Sequence, residues 1–121
     1  MAAPSILIVD DEPDLLELFR AALRKLRYRV VTANRGDIGW QMMQDDPPVL
    51  IILDVAMPYP DGLELLRVVR SDARFDAARV MILTAVPSRV SRDDAALIDV
   101  ILSKPVTPRA LEQAVVNLIG M

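Results

Sequence analysis

Acidic residues follow two of the apolar runs in the sequence, at the point where each run ends. Asp10, Asp11 and Glu12 come directly after "ILIV", and Asp54 follows "LIIL". Carboxylates held close together repel one another unless a cation neutralises them, and an all-oxygen set of ligands suits Mg²⁺. The sequence therefore predicts a magnesium site to which Asp11 and Asp54 contribute.

Two further polar side chains end other apolar runs. Thr84 closes "VMIL", and Lys104 lies just past "VIL". A carboxylate can attack phosphorus and form an aspartyl phosphate, while a metal offsets the incoming negative charge. A hydroxyl and an ammonium group can then bind the phosphoryl oxygens. Asp54, Thr84 and Lys104 are therefore candidates for the reacting groups of a phosphoryl transfer.

Each of these residues also has an ordinary structural explanation. An Asp at a strand end commonly forms a turn or caps a helix, as Asp11 would for a helix starting at Pro13. A Thr in an apolar run suits a strand, and a lone Lys is usually solvated. Acidic residues follow two of the runs, a Thr closes a third and a Lys follows a fourth. This combination is harder to attribute to chance, which favours the chemical interpretation.

The composition excludes several other kinds of site. The chain has no Cys and no His, which rules out disulfides, thiolate or imidazole metal ligands and an imidazole base. Its net charge of −3 argues against a nucleic-acid surface, which needs clustered Lys and Arg. No apolar run approaches the ~18 residues of a membrane span, and the start "MAAPSILIVD" does not resemble a signal peptide. We therefore expect a cytoplasmic protein with no direct nucleic-acid or membrane partner.

Short apolar runs alternate with amphipathic stretches along the chain, a pattern typical of a parallel sheet covered by helices. Strands are predicted at 6–9, 30–32, 49–53, 80–84 and 100–102, and helices at 13–27, 36–44, 63–71 and 108–120. The expected fold is α/β, a single doubly wound five-stranded parallel sheet with helices on both faces. The carboxyl ends of its strands would bring the polar residues to one edge.

The connection between the fourth and fifth strands gives the weakest signal. The stretch "SRVSRDDAAL" must supply the remaining crossover, and Ser91 followed by Asp94 resembles a capping box. The apolar pattern after it is brief. We therefore expect a short or irregular fourth helix.

These motifs together resemble the receiver domains of two-component response regulators. The similarity is carried by "ILIVDDEP", "LIILDVAMPYPDG", "VMILTA" and "SKP", so a receiver domain would occupy residues 1–121. The resemblance implies that Asp54 is the phosphoacceptor. It also implies that Asp11, Asp54 and the backbone carbonyl of Ala56 bind Mg²⁺, and that Asp10 acts on the metal through water.

The resemblance further assigns the residues at the ends of the last two strands. Lys104 is expected to contact the phosphoryl group, Thr84 to reorient toward it, and a cis peptide bond to precede Pro105. A histidine kinase or histidine phosphotransfer protein would donate the phosphoryl group, and the receiver would catalyse its own phosphorylation and slow dephosphorylation. Turnover of an external substrate is not expected.

Phosphorylation in this family biases an equilibrium between two surfaces, normally around the fourth helix, fifth strand and fifth helix. The expected output is a changed affinity for an output domain or a downstream protein, and a homodimer stays open. Here Ile101 stands where the family usually has Tyr or Phe, which predicts an unusual output face or switch. Ala56 and Val86 cannot orient a water by hydrogen bonding, which predicts slow loss of the phosphoryl group.

Three other functions compete with this interpretation. A flavodoxin-like nucleotide or flavin binder needs a Gly-rich or Ser/Thr-rich phosphate cradle after the first strand, where "DDEPD" would repel phosphate. A phosphatase with an Asp nucleophile usually has a second acid close behind it, whereas Val55 and Ala56 follow Asp54. A degenerate receiver that acts as a phosphate-independent interaction module is the more serious alternative.

Overall fold

The sheet is parallel throughout and its strands lie in the order β2-β1-β3-β4-β5. In the computed structural model, which describes residues 3–121, the strands are β1 Ser5–Val9, β2 Arg29–Ala33, β3 Leu50–Asp54, β4 Arg79–Thr84 and β5 Val100–Ser103. All five strands were predicted to within one residue at each end. The predicted α/β fold is confirmed.

The helices are α1 Pro13–Ala22, α2 Gly36–Asp45, α3 Gly62–Arg70, α4 Arg92–Ala95 and α5 Pro108–Ile119, with 3₁₀ turns at Ala73–Phe75 and Pro87–Arg89. None of the helices in residues 3–121 combines the length and apolar character needed to cross a membrane.

The predicted length of the first helix was wrong. It was expected to reach Arg27, but α1 ends at Ala22 and the chain continues in tight turns, in which the N–H of Leu26 donates to the carbonyl of Leu23 (3.0 Å). Leu23 and Leu26 are nevertheless buried, because a turn also places residues three apart on one side. The tighter path returns the chain to the sheet at Arg29.

Two apolar cores lie on opposite faces of the sheet. Along β1, Ile6 and Ile8 pack with α1 and α5, while Leu7 and Val9 pack with α2 and α3. Side chains on successive strand residues point to opposite faces, so a strand covered on both sides is apolar at every position. This is why the sequence shows continuous apolar runs rather than alternation.

The fourth helix is short, as predicted. It has four residues, and the hydroxyl of Ser91 accepts a hydrogen bond from the N–H of Asp94 (3.1 Å). Only this half of the expected capping box is seen among the hydrogen bonds. The carboxylate of Asp94 instead accepts two hydrogen bonds from Arg67 on α3.

Candidate functional site

The carboxyl edge of the sheet gathers the polar residues that the sequence singled out. Asp10 follows β1, Asp54 ends β3, Thr84 ends β4 and Lys104 follows β5. β1, β3, β4 and β5 are consecutive in the sheet, so these four residues lie on neighbouring strand ends. The structure therefore assembles one site from four loops.

Asp54 is neutralised by a direct ion pair. The Nζ of Lys104 lies 2.7 Å from Oδ1 of Asp54, and the two side chains are 19% and 1% exposed. The backbone N–H of Ala56 donates to the same oxygen (3.2 Å). Oδ2 of Asp54 is buried and has no hydrogen-bond partner among residues 3–121. One oxygen of the candidate nucleophile is thus held in place while the other is unsatisfied.

The protonated form of Lys104 is stabilised by the acidic residues of the site. Burial opposes the charged form, but the hydrogen bond and negative charge of Asp54 outweigh it and raise the pKa of Lys104 above its ordinary value. The charges of Asp10 and Glu12 act in the same direction. A cation therefore stands beside Asp54 at neutral pH.

Asp10 is the second buried acid of the site. Its Oδ1 accepts a hydrogen bond from the N–H of Glu12 (2.9 Å), whereas its Oδ2 is buried and finds no partner in the described part of the chain. Burial raises the pKa of Asp10 to about 6, and the nearby charge of Asp54 adds to this rise. The hydrogen bond from Glu12 and the charge of Lys104 only partly offset it. Negative charge on Asp10 is therefore only partly compensated within the site.

The acidic residues fit a divalent cation. Carboxylate oxygens of Asp10, Asp11 and Glu12 lie within 4.8 Å of one another. This group does not include Asp54, whose Oδ1 is bound to Lys104. A hard cation such as Mg²⁺ takes oxygen ligands, and a buried carboxylate oxygen that lacks a partner among residues 3–121, such as Oδ2 of Asp10, is suited to face one. The donor set and the two unsatisfied oxygens match that ion.

The alternative role of Asp11 as a helix cap is wrong. Glu12 occupies the N-cap position of α1, and Pro13 starts the helix. The side chain of Asp11 is exposed at the rim of the site. It remains free to act as a ligand.

Thr84 links the loops that follow β4 and β5. Its hydroxyl accepts a hydrogen bond from the N–H of Val86 (3.1 Å), and its carbonyl accepts one from the N–H of Lys104 (2.8 Å). The peptide bond between Lys104 and Pro105 is cis, as the resemblance implied. The side chain of Thr84 is therefore buried at the site and bonded to the segment that leads to α4.

The loop after Asp54 leads directly into α3. Asp61 caps this helix, and Glu64 completes the reciprocal capping box. Gly62 lies so close to the Asp54 backbone that an added Cβ would be 2.5 Å from its carbonyl oxygen. Only glycine permits this contact. An Asp-Gly pair is typical of a turn, but nothing in the sequence indicated the close approach.

Two cavities flank the acidic residues. One of about 400 Å³ is lined by Glu12, Leu15, Phe19, Ala85, Lys104, Pro105 and Val106. The other, of about 240 Å³, is lined by Asp11, Asn34, Arg35, Gly36, Met57, Pro58 and Tyr59. Lys104 on one side and Asp11 on the other connect these cavities to the site.

Comparison with known proteins identifies a family that covers nearly the whole chain. Residues 6–116 match the family model for the response regulator receiver domain. Response regulator Rre1 from Synechocystis is 38% identical over an alignment that covers 99% of this chain and 54% of that protein. The probable chemotaxis protein CheY from Rhizobium etli is 33% identical, with 95% and 92% coverage. The chain thus spans about half of Rre1, but nearly all of that CheY.

Solved structures give the same result. Chemotaxis protein CheY4 from Vibrio cholerae has a TM-score of 0.87 and 26% identity, covering 98% of this chain and all of that one. Response regulator TrrA from Thermotoga maritima, solved in complex with Mg²⁺ and BeF, has a TM-score of 0.83 and 29% identity. That similarity covers 96% of this chain and 99% of TrrA. The fold is therefore shared with both.

Proposed function

The chain belongs to the response regulator receiver domain family, and we propose that Asp54 accepts a phosphoryl group from a histidine kinase or a histidine phosphotransfer protein. The observation that carries this proposal is the buried Asp54 carboxylate, with Lys104 on one oxygen and no partner on the other. An oxygen of Asp54 forms the new bond to phosphorus as the bond from phosphorus to the donor's imidazole nitrogen breaks. The receiver domain is proposed to extend over residues 1–121.

The other residues act on charge and position. Asp10, Asp11, Asp54 and the carbonyl of Ala56 would hold Mg²⁺, with Asp10 acting through water. When bound, the ion neutralises negative charge on the incoming phosphoryl group.

Lys104 and Thr84 are proposed to bind the product. The ammonium group of Lys104 already lies beside Asp54, so it can bind a phosphoryl oxygen after a short movement. The hydroxyl of Thr84 accepts a hydrogen bond from Val86 and has a proton to donate to a second oxygen. This second contact is the means by which the state of Asp54 reaches the loop after β4.

The proposed output is a change in binding affinity. The phosphorylated surface would bind an attached output domain or a separate protein in the cytoplasm, and no external substrate would be turned over. Rre1 is nearly twice as long as this chain, which agrees with an attached output domain in such relatives. The alternative is a phosphate-independent interaction module, favoured only by the half-buried Ile101 where an aromatic residue is usual.

Phosphotransfer profiling separates the two functions. Purified histidine kinases of the source organism are autophosphorylated with radiolabelled ATP and mixed with the wild type, Asp54→Asn, or Asp45→Asn as an exposed control. Phosphoramidate, a small donor that needs no docking, is tested in parallel by intact mass. We expect one added phosphoryl group on the wild type and Asp45→Asn, and none on Asp54→Asn. A wild type that neither donor labels would favour the interaction module.

A further inference from the structure

Two arginines on α3 attach the α4 segment, residues 92–99, to the rest of the protein. Arg67 binds both carboxylate oxygens of Asp94, from Nε to Oδ1 at 3.0 Å and from Nη2 to Oδ2 at 2.7 Å. Arg70 donates to the carbonyl of Leu97 (3.0 Å) and to Oδ2 of Asp99 (3.1 Å). The two ends of the segment are thus held by separate side chains.

The side chain of Arg70 also binds parts of the chain outside the α4 segment. Its side chain is only 16% exposed, and it also donates to the carbonyls of Phe75 and Ala78. Asp99 accepts a further hydrogen bond from the N–H of Val80, in the interior of β4. Releasing Arg70 would deprive the carbonyls of Ala78 and Leu97 of its hydrogen bonds, so this end of the segment is fixed.

The attachment at Arg67 has a different character. The Arg67 side chain is 55% exposed, and Asp94 is the only partner seen for its guanidinium group in residues 3–121. When the pair opens, water can replace Asp94 around the exposed Arg67 guanidinium, whereas the buried Asp94 carboxylate reaches water only if the start of α4 moves away from α3. Asp94 itself is 8% exposed, and its bidentate contact gives a defined geometry. The start of the segment is therefore held by a single ion pair of defined geometry, and that pair can open.

The chain that joins the proposed phosphorylation site to Asp94 has few other anchors. The hydroxyl of Thr84 accepts a hydrogen bond from Val86, and residues 85–91 then run largely exposed. Asp94 is the first buried residue after Thr84. A displacement that starts at Thr84 is therefore resisted first by the contact of Asp94 with Arg67.

We propose that the Arg67–Asp94 ion pair is a latch that holds the start of α4 on α3 in the unphosphorylated protein, and that phosphorylation of Asp54 releases it through Thr84 and residues 85–91. This inference rests on the proposed function of Asp54. The segment turns about its fixed end, at Leu97 and Asp99. Because the latch and the phosphoryl group favour different positions of the segment, each must weaken the other by the same free energy.

Binding of beryllofluoride with Mg²⁺, a phosphoryl analogue, measures this coupling. Arg67→Gln and Asp94→Asn each open the latch, so they should bind beryllofluoride about fivefold or more tightly than the wild type. Exchanging the charges, with Arg67→Asp and Asp94→Arg in one chain, should return the affinity toward the wild-type value. Arg74→Gln is the matched control, because it removes the Arg74–Asp72 ion pair just after α3 and leaves the latch intact.

Hydrogen exchange gives a second measurement, made without metal or beryllofluoride. In Arg67→Gln the amides of residues 94–98, whose acceptors lie within residues 91–95, should exchange faster, while the amide of Asp99, which donates to the carbonyl of Val80, keeps its protection. Unchanged or weaker beryllofluoride binding by the latch variants would overturn the inference and show a purely structural ion pair. A wild type that does not bind beryllofluoride would instead contradict the proposed function itself.

Discussion

The ammonium group of Lys104 lies 2.7 Å from Oδ1 of Asp54, so a lysine neutralises the buried candidate nucleophile within the protein. The same carboxylate keeps Oδ2 without a partner. The resting site therefore holds Asp54 oriented and only half satisfied, which leaves one oxygen available to a metal or a phosphoryl donor.

Replacing Lys104 by Met should destabilise the protein, because it leaves a buried carboxylate without its counter-charge. We expect a loss of about 2 kcal/mol in the free energy of unfolding, less than for a fully buried pair since Lys104 is partly exposed. Urea unfolding measures it. Adding Asp54→Asn to this variant should recover most of the loss. Equal losses in the single and double variants would show that Lys104 acts only through packing.

Asp10→Asn should stabilise the protein in the absence of divalent cations. The pKa of Asp10 is raised from 3.8 to about 6 in the folded state, so the native protein binds the proton more tightly than the unfolded chain does. Stability is thus lost as the pH rises from about 4 to 6, and the full cost remains at higher pH. The gain at pH 7 should be about 1–3 kcal/mol.

The pH dependence provides the control for this variant. Thermal unfolding between pH 4 and 8 in a chelating buffer should show a decline for the wild type that is reduced in Asp10→Asn. At pH 4 the two proteins should be nearly equal in stability. A variant that is less stable than the wild type at pH 7 would contradict the assigned cost of the Asp10 charge.

Asp11→Asn should weaken Mg²⁺ binding with little effect on folding. Asp11 is exposed and lies in the cluster with Asp10 and Glu12, so its charge matters mainly to a bound ion. We expect an affinity about tenfold lower by calorimetric titration, with metal-free stability within about 0.5 kcal/mol of the wild type. Asp45→Asn, on α2, should change neither. Equal Mg²⁺ affinity in all three proteins would remove Asp11 from the ligand set.

The phosphorylated protein should lose its phosphoryl group slowly. Ala56 and Val86 are exposed and lie two residues after Asp54 and Thr84, and neither side chain can orient an attacking water. Ala56→Gln should therefore accelerate hydrolysis, followed by intact mass after removal of the donor, whereas Ala21→Gln on α1 should not. A wild-type half-life of seconds would contradict this account.

The apolar runs were sufficient to predict the sheet and the edge on which the site lies. Each run is a strand buried on both faces, and the polar residue at its end marks the carboxyl edge. The end of α1 was missed because Leu23 and Leu26 are spaced as in a helix but packed through turns. Local sequence cannot separate these two geometries.

The contacts of Asp94 show a second limit. The sequence placed it three residues after Ser91, where a reciprocal cap would use its side chain, yet that side chain binds Arg67 from a distant part of the chain. Similarly, the burial of Asp10 and the exposure of Asp11 were not distinguishable within "VDDE". Both facts depend on tertiary packing rather than on neighbouring residues.

The close approach of Gly62 to the carbonyl of Asp54 packs the start of α3 tightly against the end of β3. Arg67 is five residues further along this helix, about 7.5 Å at 1.5 Å per residue. Asp94 is joined to Thr84, at the end of β4, through residues 85–91, which are largely exposed. The two residues of the ion pair are thus connected to different strands, Arg67 to β3 through α3 and Asp94 to β4 through the intervening loop. Their contact therefore changes when β3 and β4 move relative to each other. A motion that carried β3 and β4 together would leave them undisturbed.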